Sequence, residues 1–492
     1  MEKIAIIELT EFGTKLLILD SSAGRYSYLK ECKDEFPVGE EIEIDQLLKP
    51  KTVSKMVSVL TIYREMIQSY GIQKMFGFAS RLFLKARNQK GFFEELYNNT
   101  GIVFSILSEE ECVKNIFLAL NSKIDASKAY SIYTGSHETF FVKYNRRTIL
   151  DYFTIPCGYD NLVLKKLSYD QMVDYVCDEI SKNKQHVIEE GDLCIGAGNS
   201  FINFGRIAKK LDHYPIDLDN NYPIKKSLAN DVFKFVKGLD LEKIKKVKGM
   251  VGNPQSFLAG IAIIEGFYKA LSLKDIVVSD AKQIEGVIAS ILSSDSQEKF
   301  TDLLGNSFDN YFEMRKNEFS NNIRVANMAG ILFKQLKVMH KLPRAYVKPM
   351  RIAAYMFDCG RAVNFENYEK YGFYTILNSG ICGASQKDLL LAGFICSCQN
   401  PDNFSLAEWM KYKDIVNEED LDAVRKLGVI VKLAAALNST KKEIVTDVVC
   451  DILGDSIIMK TIVNGDATYD ILQGMKVADD YRKIFKKNLQ II

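Results

Sequence analysis

Two stretches of the chain carry the same rhythm of apolar and polar positions. Residues 4–9 (IAIIEL) are apolar and strand-like, Thr10-Glu11-Phe12-Gly13 make a turn, and residues 14–20 (TKLLILD) return as a second strand, with a third near Tyr26–Leu29. After position 128 the rhythm recurs. Tyr130–Thr134 read as a strand, Gly135-Ser136-His137 as a turn, Thr139–Tyr144 as a strand, Asn145-Arg146-Arg147 as a turn and Thr148–Ile155 as a strand. Strand, tight turn, strand, turn, strand, each set followed by helical spacing, predicts two copies of one α/β unit and hence an internal duplication. Helical periodicity fills the first copy at about Val53–Ser69 and Glu109–Leu120. In the second copy Asp192–Ile195 reads as a strand that runs into Gly196-Ala197-Gly198-Asn199-Ser200 and a following helix. Helices dominate from Asn253 onward, apart from a short strand at Ile276-Val277-Val278, and from residue 301 the pattern predicts helix throughout. The expected domains are residues 1–124, 125–300 and 301–492.

Length agrees with this division, since 492 residues at ~150 per domain make about three. Nine Pro and 30 Gly exclude a disordered or fibrous chain. Lys plus Arg total 64 against 63 for Asp plus Glu, a net charge of +1, which excludes a broadly basic protein that coats duplex nucleic acid. No uncharged apolar run approaches the ~18 residues that cross a bilayer. Ile4–Ile7, directly after Met1-Glu2-Lys3, is too short for a signal peptide. The expectation is therefore a cytoplasmic protein with no membrane partner. Ten Cys lack a repeated CxxC, and the closest pair is Cys396-x-Cys398, so reduced thiols are expected rather than a zinc site. The His are only four: His137, His186, His213 and His340.

Candidate chemistry concentrates in the turns. A tight turn of small residues aims several backbone N–H groups at one point and can cradle a phosphate oxygen. Gly135-Ser136 fits, and Gly196-Ala197-Gly198-Asn199-Ser200 fits better because it joins a strand to a helix N-terminus. Either is also an ordinary glycine turn. Thr10-Glu11-Phe12-Gly13 is poor by the same standard, because Glu11 repels phosphate and Phe12 crowds it. Ser108-Glu109-Glu110-Glu111 opens a helix. A carboxylate there could orient an attacking water, but Ser108 with Glu111 three residues on is also a capping box. His137 beside Glu138 is a phosphate donor, a proton carrier or simply solvated. The basic run Lys243–Lys248 reads as a solvated helix face more readily than as a polyanion track. Lys143, Arg146 and Arg147 near the second set of strands suit a polyanion, although strand polarity explains them equally.

These residues, in this order, resemble the exopolyphosphatase and guanosine-pentaphosphate phosphatase family (Ppx/GppA), over essentially the whole chain. Ile6–Gly13 match its first strand and phosphate loop, Ala79–Asn88 its ATSALRxAxN stretch, Ser108–Phe117 its SGxEEA helix start and Ile132–Glu138 its DIGGGSTE segment. Pro156-Cys157-Gly158 match a PxG turn, Gly196–Ser200 the GxGGT loop, and Ser279–Val287 the SDxxLREGV segment, the most specific of these. The resemblance implies a duplicated actin-like α/β fold of ribonuclease-H-like domains, as in acetate and sugar kinases and Hsp70. To this it adds a C-terminal all-α HD-like domain, through which relatives form homodimers.

Departures fall on the chemistry. The first loop keeps an acid only as Glu8. Its phosphate-contacting arginine falls on Leu84, with Arg81 one turn earlier. Ser131 stands for a metal-binding aspartate, Tyr133 and Thr134 for two glycines, and Ile284 for an arginine. The HD pair falls on Phe357-Asp358, and later HD histidines fall near Tyr371 and Cys396-Ser397-Cys398. With His340 as the one imidazole after residue 300, no HD-domain metal is expected. The resemblance implies a cleft for inorganic polyphosphate or a guanosine polyphosphate, from which phosphate is released weakly. Glu111 (Glu110 if the register slips by one) would orient water, and Glu138 and Glu8 would hold Mg²⁺. Gly135, Ser136, Gly196, Ala197, Gly198, Asn199, Ser200 and Arg81 would hold phosphate. A non-catalytic phosphate-chain sensor or scaffold is the alternative. A sugar or acetate kinase would need an intact first phosphate loop and adenosine-pocket glycines that are not found.

Overall fold

The computed structural model describes residues 2–22, 25–145, 148–183, 192–247, 249–292, 302–314 and 319–492. The chain forms two compact units, one of Met1–Tyr214 with Asp219–Leu303 and one of Leu304–Ile492 with Pro215–Leu218. Arg146, Arg147, His186 and Lys248 lie outside the described residues.

The first unit holds two sheets. In the first, β1 (Glu2–Thr10), β2 (Gly13–Ser22) and β3 (Arg25–Glu35) run antiparallel, while β4 (Lys74–Ala79) and β5 (Phe104–Ile106) add parallel to β1, in the order β3-β2-β1-β4-β5. In the second, β6 (Lys128–Thr134), β7 (Thr139–Asn145) and β8 (Thr148–Ile155) are antiparallel, and β9 (Leu193–Ala197) and β11 (Ile276–Ser279) extend it in parallel. Its order from the far edge is β8-β7-β6-β9-β11, with β10 (Tyr222–Ile224) antiparallel at the end. The two sheets share one strand order, so the duplication read from the turns is a duplication of topology. Strands β4, β5 and β10 are short and lack the strand–turn–strand rhythm that exposes the others.

The apolar runs are continuous because these strands are buried on both faces. In β1, Ala5, Ile7 and Leu9 pack under the helices Pro50–Ser69 and Gln89–Thr100, with Met56, Leu60 and Tyr63 against them. Ile4 and Ile6 face the other way, onto Ile284, Val287 and Ile288 of the helix Gln283–Leu292. By the two-residue period Glu8 lies on that second face, at the end of the strand that opens toward the second sheet.

The two copies exchange their last helices. Glu109–Asn121 packs through Cys112, Val113, Ile116 and Leu120 on Ala129, Phe140 and Val142 of the second sheet, while Gln283–Leu292 packs on the first. The two helices cross where a Cβ on Gly286 would lie 1.7 Å from the Asn115 carbonyl oxygen, and Ser290 Oγ bonds Asn115 Oδ1 at 2.9 Å.

The second unit corrects the expectation of an all-α domain. It is helical through the helix Glu418–Ala436. Then β12 (Val445–Leu453), β13 (Ser456–Val463) and β14 (Asn488–Ile491) form a three-stranded sheet, with β12 and β13 antiparallel and β14 parallel to β13. Helical spacing was the wrong period here. Val445–Leu453 is rich in β-branched residues, and Gly454, at φ +44°, makes the turn that reverses it.

Candidate functional site

The site is a cleft between the two sheets of the first unit. A cavity of about 290 Å³ is lined by Glu8, Glu11, Phe12 and Lys15 from the first turn, Arg81 and Lys85 after β4, Tyr133–Glu138 from the second turn, and Asn199, Lys282 and Ile284. Arg81 begins a 3₁₀ turn, Arg81–Lys85, whose Ser80 N-cap accepts from the Leu82 N–H. That short turn aims Arg81 into the cavity and leaves Leu84 exposed.

Backbone packing builds the second turn. Gly135 N–H donates to the Glu138 carbonyl at 2.9 Å, and Asp160 N–H to the Ser136 carbonyl at 2.9 Å. Asn161 Nδ2 bonds the His137 carbonyl at 2.7 Å while its Oδ1 accepts from Gly158 N–H at 2.8 Å. The Pro156-Cys157-Gly158 turn presses so closely that a Cβ on Gly158 would lie 2.2 Å from His137 N.

Arg81, Lys15 and Lys85 are each engaged by an acid. Arg81 Nε lies 3.1 Å from Glu138 Oε2 and its Nη2 3.5 Å from Glu109 Oε2. Lys15 pairs with Glu31 at 3.2 Å and Lys85 with Glu43 at 2.6 Å. Across the cleft, Ser136 Oγ donates to the Glu11 carboxylate, and His137 Nδ1 lies 3.0 Å from the same hydroxyl. Burial, with Lys15 opposing it and Glu11 adding to it, pushes the Glu8 carboxyl up to about 7. Burial also raises Glu11, against the Ser136 hydrogen bond. It lowers His137 to about 4, despite Glu43, so the imidazole is neutral at pH 7.

The comparisons decide the family. The model of the Ppx/GppA phosphatase family matches residues 17–295, and that of Ppx/GppA phosphatase domain III matches residues 309–467. The chain belongs to the Ppx/GppA phosphatase family. Solved structures agree on the fold. A Ppx/GppA family member from Aquifex aeolicus is 19% identical with a TM-score of 0.52, over 59% of this chain and 97% of its own. An exopolyphosphatase from Cytophaga hutchinsonii is 15% identical with a TM-score of 0.51, over 59% and 98%. No curated protein sequence matches the chain.

Against the Ppx/GppA expectations, the cleft gathers Glu8, Arg81, Gly135, Ser136, Glu138 and Asn199. It does not gather Glu111. That carboxylate accepts from the Ser108 N–H at 2.7 Å while Ser108 Oγ accepts from Glu111 N–H, which is the capping box. Glu110 is exposed. Glu109 is the acid turned toward Arg81, because residues three apart share a helix face and Cys112 of that face lines the cavity. Helix phase could have indicated it: the apolar stripe through Cys112 and Ile116 extends back to Glu109.

Packing requires the glycines of the Gly196–Ser200 loop. Gly196 and Ala197 sit within β9, paired with Ile132 and Tyr133, and a Cβ on Gly196 would strike the Phe201 ring at 2.2 Å. Gly198, at φ +93°, lets the chain pass so close to Thr134 that a Cβ there would lie 2.3 Å from its carbonyl oxygen. Ser200 is buried and, with Asn199, lines a smaller cavity of about 90 Å³ beside Asp160 and Ser256. Two of the replaced positions, Ser131 and Ile284, are absorbed into packing. Ser131 Oγ bonds the Val142 carbonyl at 3.3 Å, and Ile284 is buried against the first sheet.

Residues outside the cleft also settle. Lys243 and Lys245 pair with Asp240 and Glu242 on an exposed short helix, and Lys143 lies over the Tyr130 ring. In the second unit Cys396 is buried beside Cys359, which with burial raises its thiol well above the ordinary value. Gln399 Nε2 bonds the Phe357 carbonyl at 2.8 Å, and His340 Nε2 bonds the Phe333 carbonyl at 2.7 Å. Among the described residues no three His, Cys, Asp or Glu side chains are grouped to hold a metal ion, and no helix is long and apolar enough to cross a membrane.

Proposed function

We propose that the cleft binds the terminal phosphates of inorganic polyphosphate or a guanosine polyphosphate and hydrolyses the last phosphoanhydride slowly. The observation that carries this is the convergence of Lys15, Arg81, Lys85 and Lys282 on one cavity between the two turns, in a chain of a phosphatase family. A phosphoryl group needs neutralisation and positioning more than covalent chemistry. Turnover is slow because Glu138, Glu109, Glu31 and Glu43 already hold three of those cations, and losing one such interaction typically costs ~10²–10³ in rate.

In this reading Arg81 leaves Glu138 for the terminal phosphate, and Glu109 orients the attacking water in place of Glu111. The carboxylates freed and facing the cavity, Glu138 and Glu8, are the oxygen donors that suit Mg²⁺, which takes one or two carboxylates and completes its shell with phosphate and water. Bound there, Mg²⁺ would neutralise charge on the phosphoryl oxygens.

The test is phosphate release from long-chain polyphosphate and from guanosine pentaphosphate, with and without Mg²⁺, beside Glu109→Ala and Glu111→Ala. Magnesium-dependent release that collapses in Glu109→Ala supports the reading. Release untouched by that change refutes the assigned role. Tight binding with no release favours the second reading, a non-catalytic phosphate-chain sensor. The observation in its favour is that the chain's own carboxylates already occupy Arg81 and Ser136.

A further inference from the structure

A second and larger cavity adjoins the basic one. It measures about 660 Å³, and its charged lining consists of Glu11, Glu35, Glu40, Glu43 and Asp160, with the neutral His137 and no Lys or Arg among the described residues. Glu11, Phe12 and His137 line both cavities, so they form the partition. The partition is tied across the cleft. Ser136 Oγ, from the second sheet's turn, donates to the Glu11 carboxylate of the first. His137, beside Ser136, reaches back with Nε2 3.5 Å from Glu43, which Lys85 holds from the other side. Backbone fixes the Glu11 turn: the Gly39 N–H donates to the Glu11 carbonyl at 2.8 Å and the Phe36 N–H to the Phe12 carbonyl at 2.9 Å.

We infer that Glu11 determines specificity: its carboxylate, held by Ser136, closes the far end of the basic cavity, so the site takes a short phosphate chain and discriminates against a long one that must continue through the cleft. The inference rests on the function proposed above. A phosphate chain carries negative charge on every unit. Its terminal groups meet Lys15, Arg81, Lys85 and Lys282 on the near side. The next units would meet Glu11 at the partition and then four further carboxylates, Glu35, Glu40, Glu43 and Asp160, of which Lys85 holds Glu43. Like charges at contact distance in a partly buried site repel strongly. Phe12 lines both cavities as well.

The experiment is calorimetric titration of the full-length protein with sodium tripolyphosphate and with long-chain polyphosphate. The readout is the ratio of the two affinities, each per chain end. Glu11→Gln keeps an acceptor for Ser136 and removes the charge. Glu11→Ser removes the charge and shortens the side chain. Two variants guard against one that does not fold, which circular dichroism would reveal. Each folded variant is expected to shift the ratio toward the long chain by at least about tenfold, while tripolyphosphate still binds. A wild-type protein that already prefers the long chain, or variants that keep the wild-type ratio, overturns the role of Glu11 and leaves the proposed function standing. Binding of neither ligand by any of the proteins overturns the proposed function itself, and this inference with it.

Discussion

Glu8 and His137 face one cleft and impose opposite pH dependences on the stability of the first unit. Burial raises Glu8 from its ordinary 4.5 to about 7 and lowers His137 from 6.5 to about 4. For Glu8 the folded state prefers the protonated form. Its contribution is therefore complete below about pH 4.5 and is lost as pH rises to about 7. For His137 the folded state prefers the neutral form, so its contribution is complete above about pH 6.5 and is lost as pH falls to about 4. Folded and unfolded values differ by about 2.5 in each case, and at about 1.4 kcal/mol per tenfold change in proton affinity each is worth about 3 kcal/mol. In the wild-type protein the two slopes nearly cancel between about pH 4.5 and 6.5. Glu8→Gln unmasks the His137 slope, so that variant gains stability relative to wild type as pH rises. His137→Asn unmasks the Glu8 slope, and gains relative to wild type as pH falls. Urea unfolding followed by far-ultraviolet circular dichroism, repeated from about pH 4 to 8, measures both differences. Three parallel stability curves would refute the reasoning, because they would mean that neither group is desolvated by the closed cleft.

Other consequences are as direct. Ser108→Ala removes one half of the capping box on the helix Glu109–Asn121 and is expected to cost about 1 kcal/mol in urea unfolding without changing phosphate-chain affinity; a loss of affinity would return Glu111 to the site. Gly198→Ala combines a φ of +93° with a Cβ 2.3 Å from the Thr134 carbonyl and is expected to lose more than about 2 kcal/mol. Gly252→Ala, at φ +87° with nothing within 4 Å, should lose only the conformational part, about 1–2 kcal/mol, and equal losses in thermal melts would count against the close crossing. Arg81→Ala is expected to weaken tripolyphosphate binding about tenfold or more, with Arg81→Lys recovering part of it; unchanged affinity in calorimetry would remove Arg81 from the ligand.

What could be read along the chain is what local geometry dictates. Residues 4–9, 14–20, 130–134 and 139–144 announce strands because a strand buried on both faces has to be apolar at successive positions. Their turns repeat because two sheets repeat. The capping box at Ser108 and Glu111 was legible for the same reason, as its bonds span three residues. The sheet of β12, β13 and β14 was missed where helical spacing was carried past Ala436 into a β-branched run.

The cleft is a different matter. Arg81 meets Glu138 across 57 positions and Ser136 meets Glu11 across 125, and no spacing along the chain encodes either pairing. Gly196 and Gly198 look alike as phosphate-loop glycines until Phe201 and Thr134 are seen beside them. Of three consecutive glutamates, helix phase places Glu109 on the face of Cys112, and the fold brings Arg81 to it. The repeated strand–turn–strand units and the Ser108 cap are legible along the chain, because backbone sterics and burial act on neighbouring residues. Tertiary structure settles that Arg81 meets Glu138 and Ser136 meets Glu11, because those contacts form only when the two sheets close on each other and the water between them is expelled.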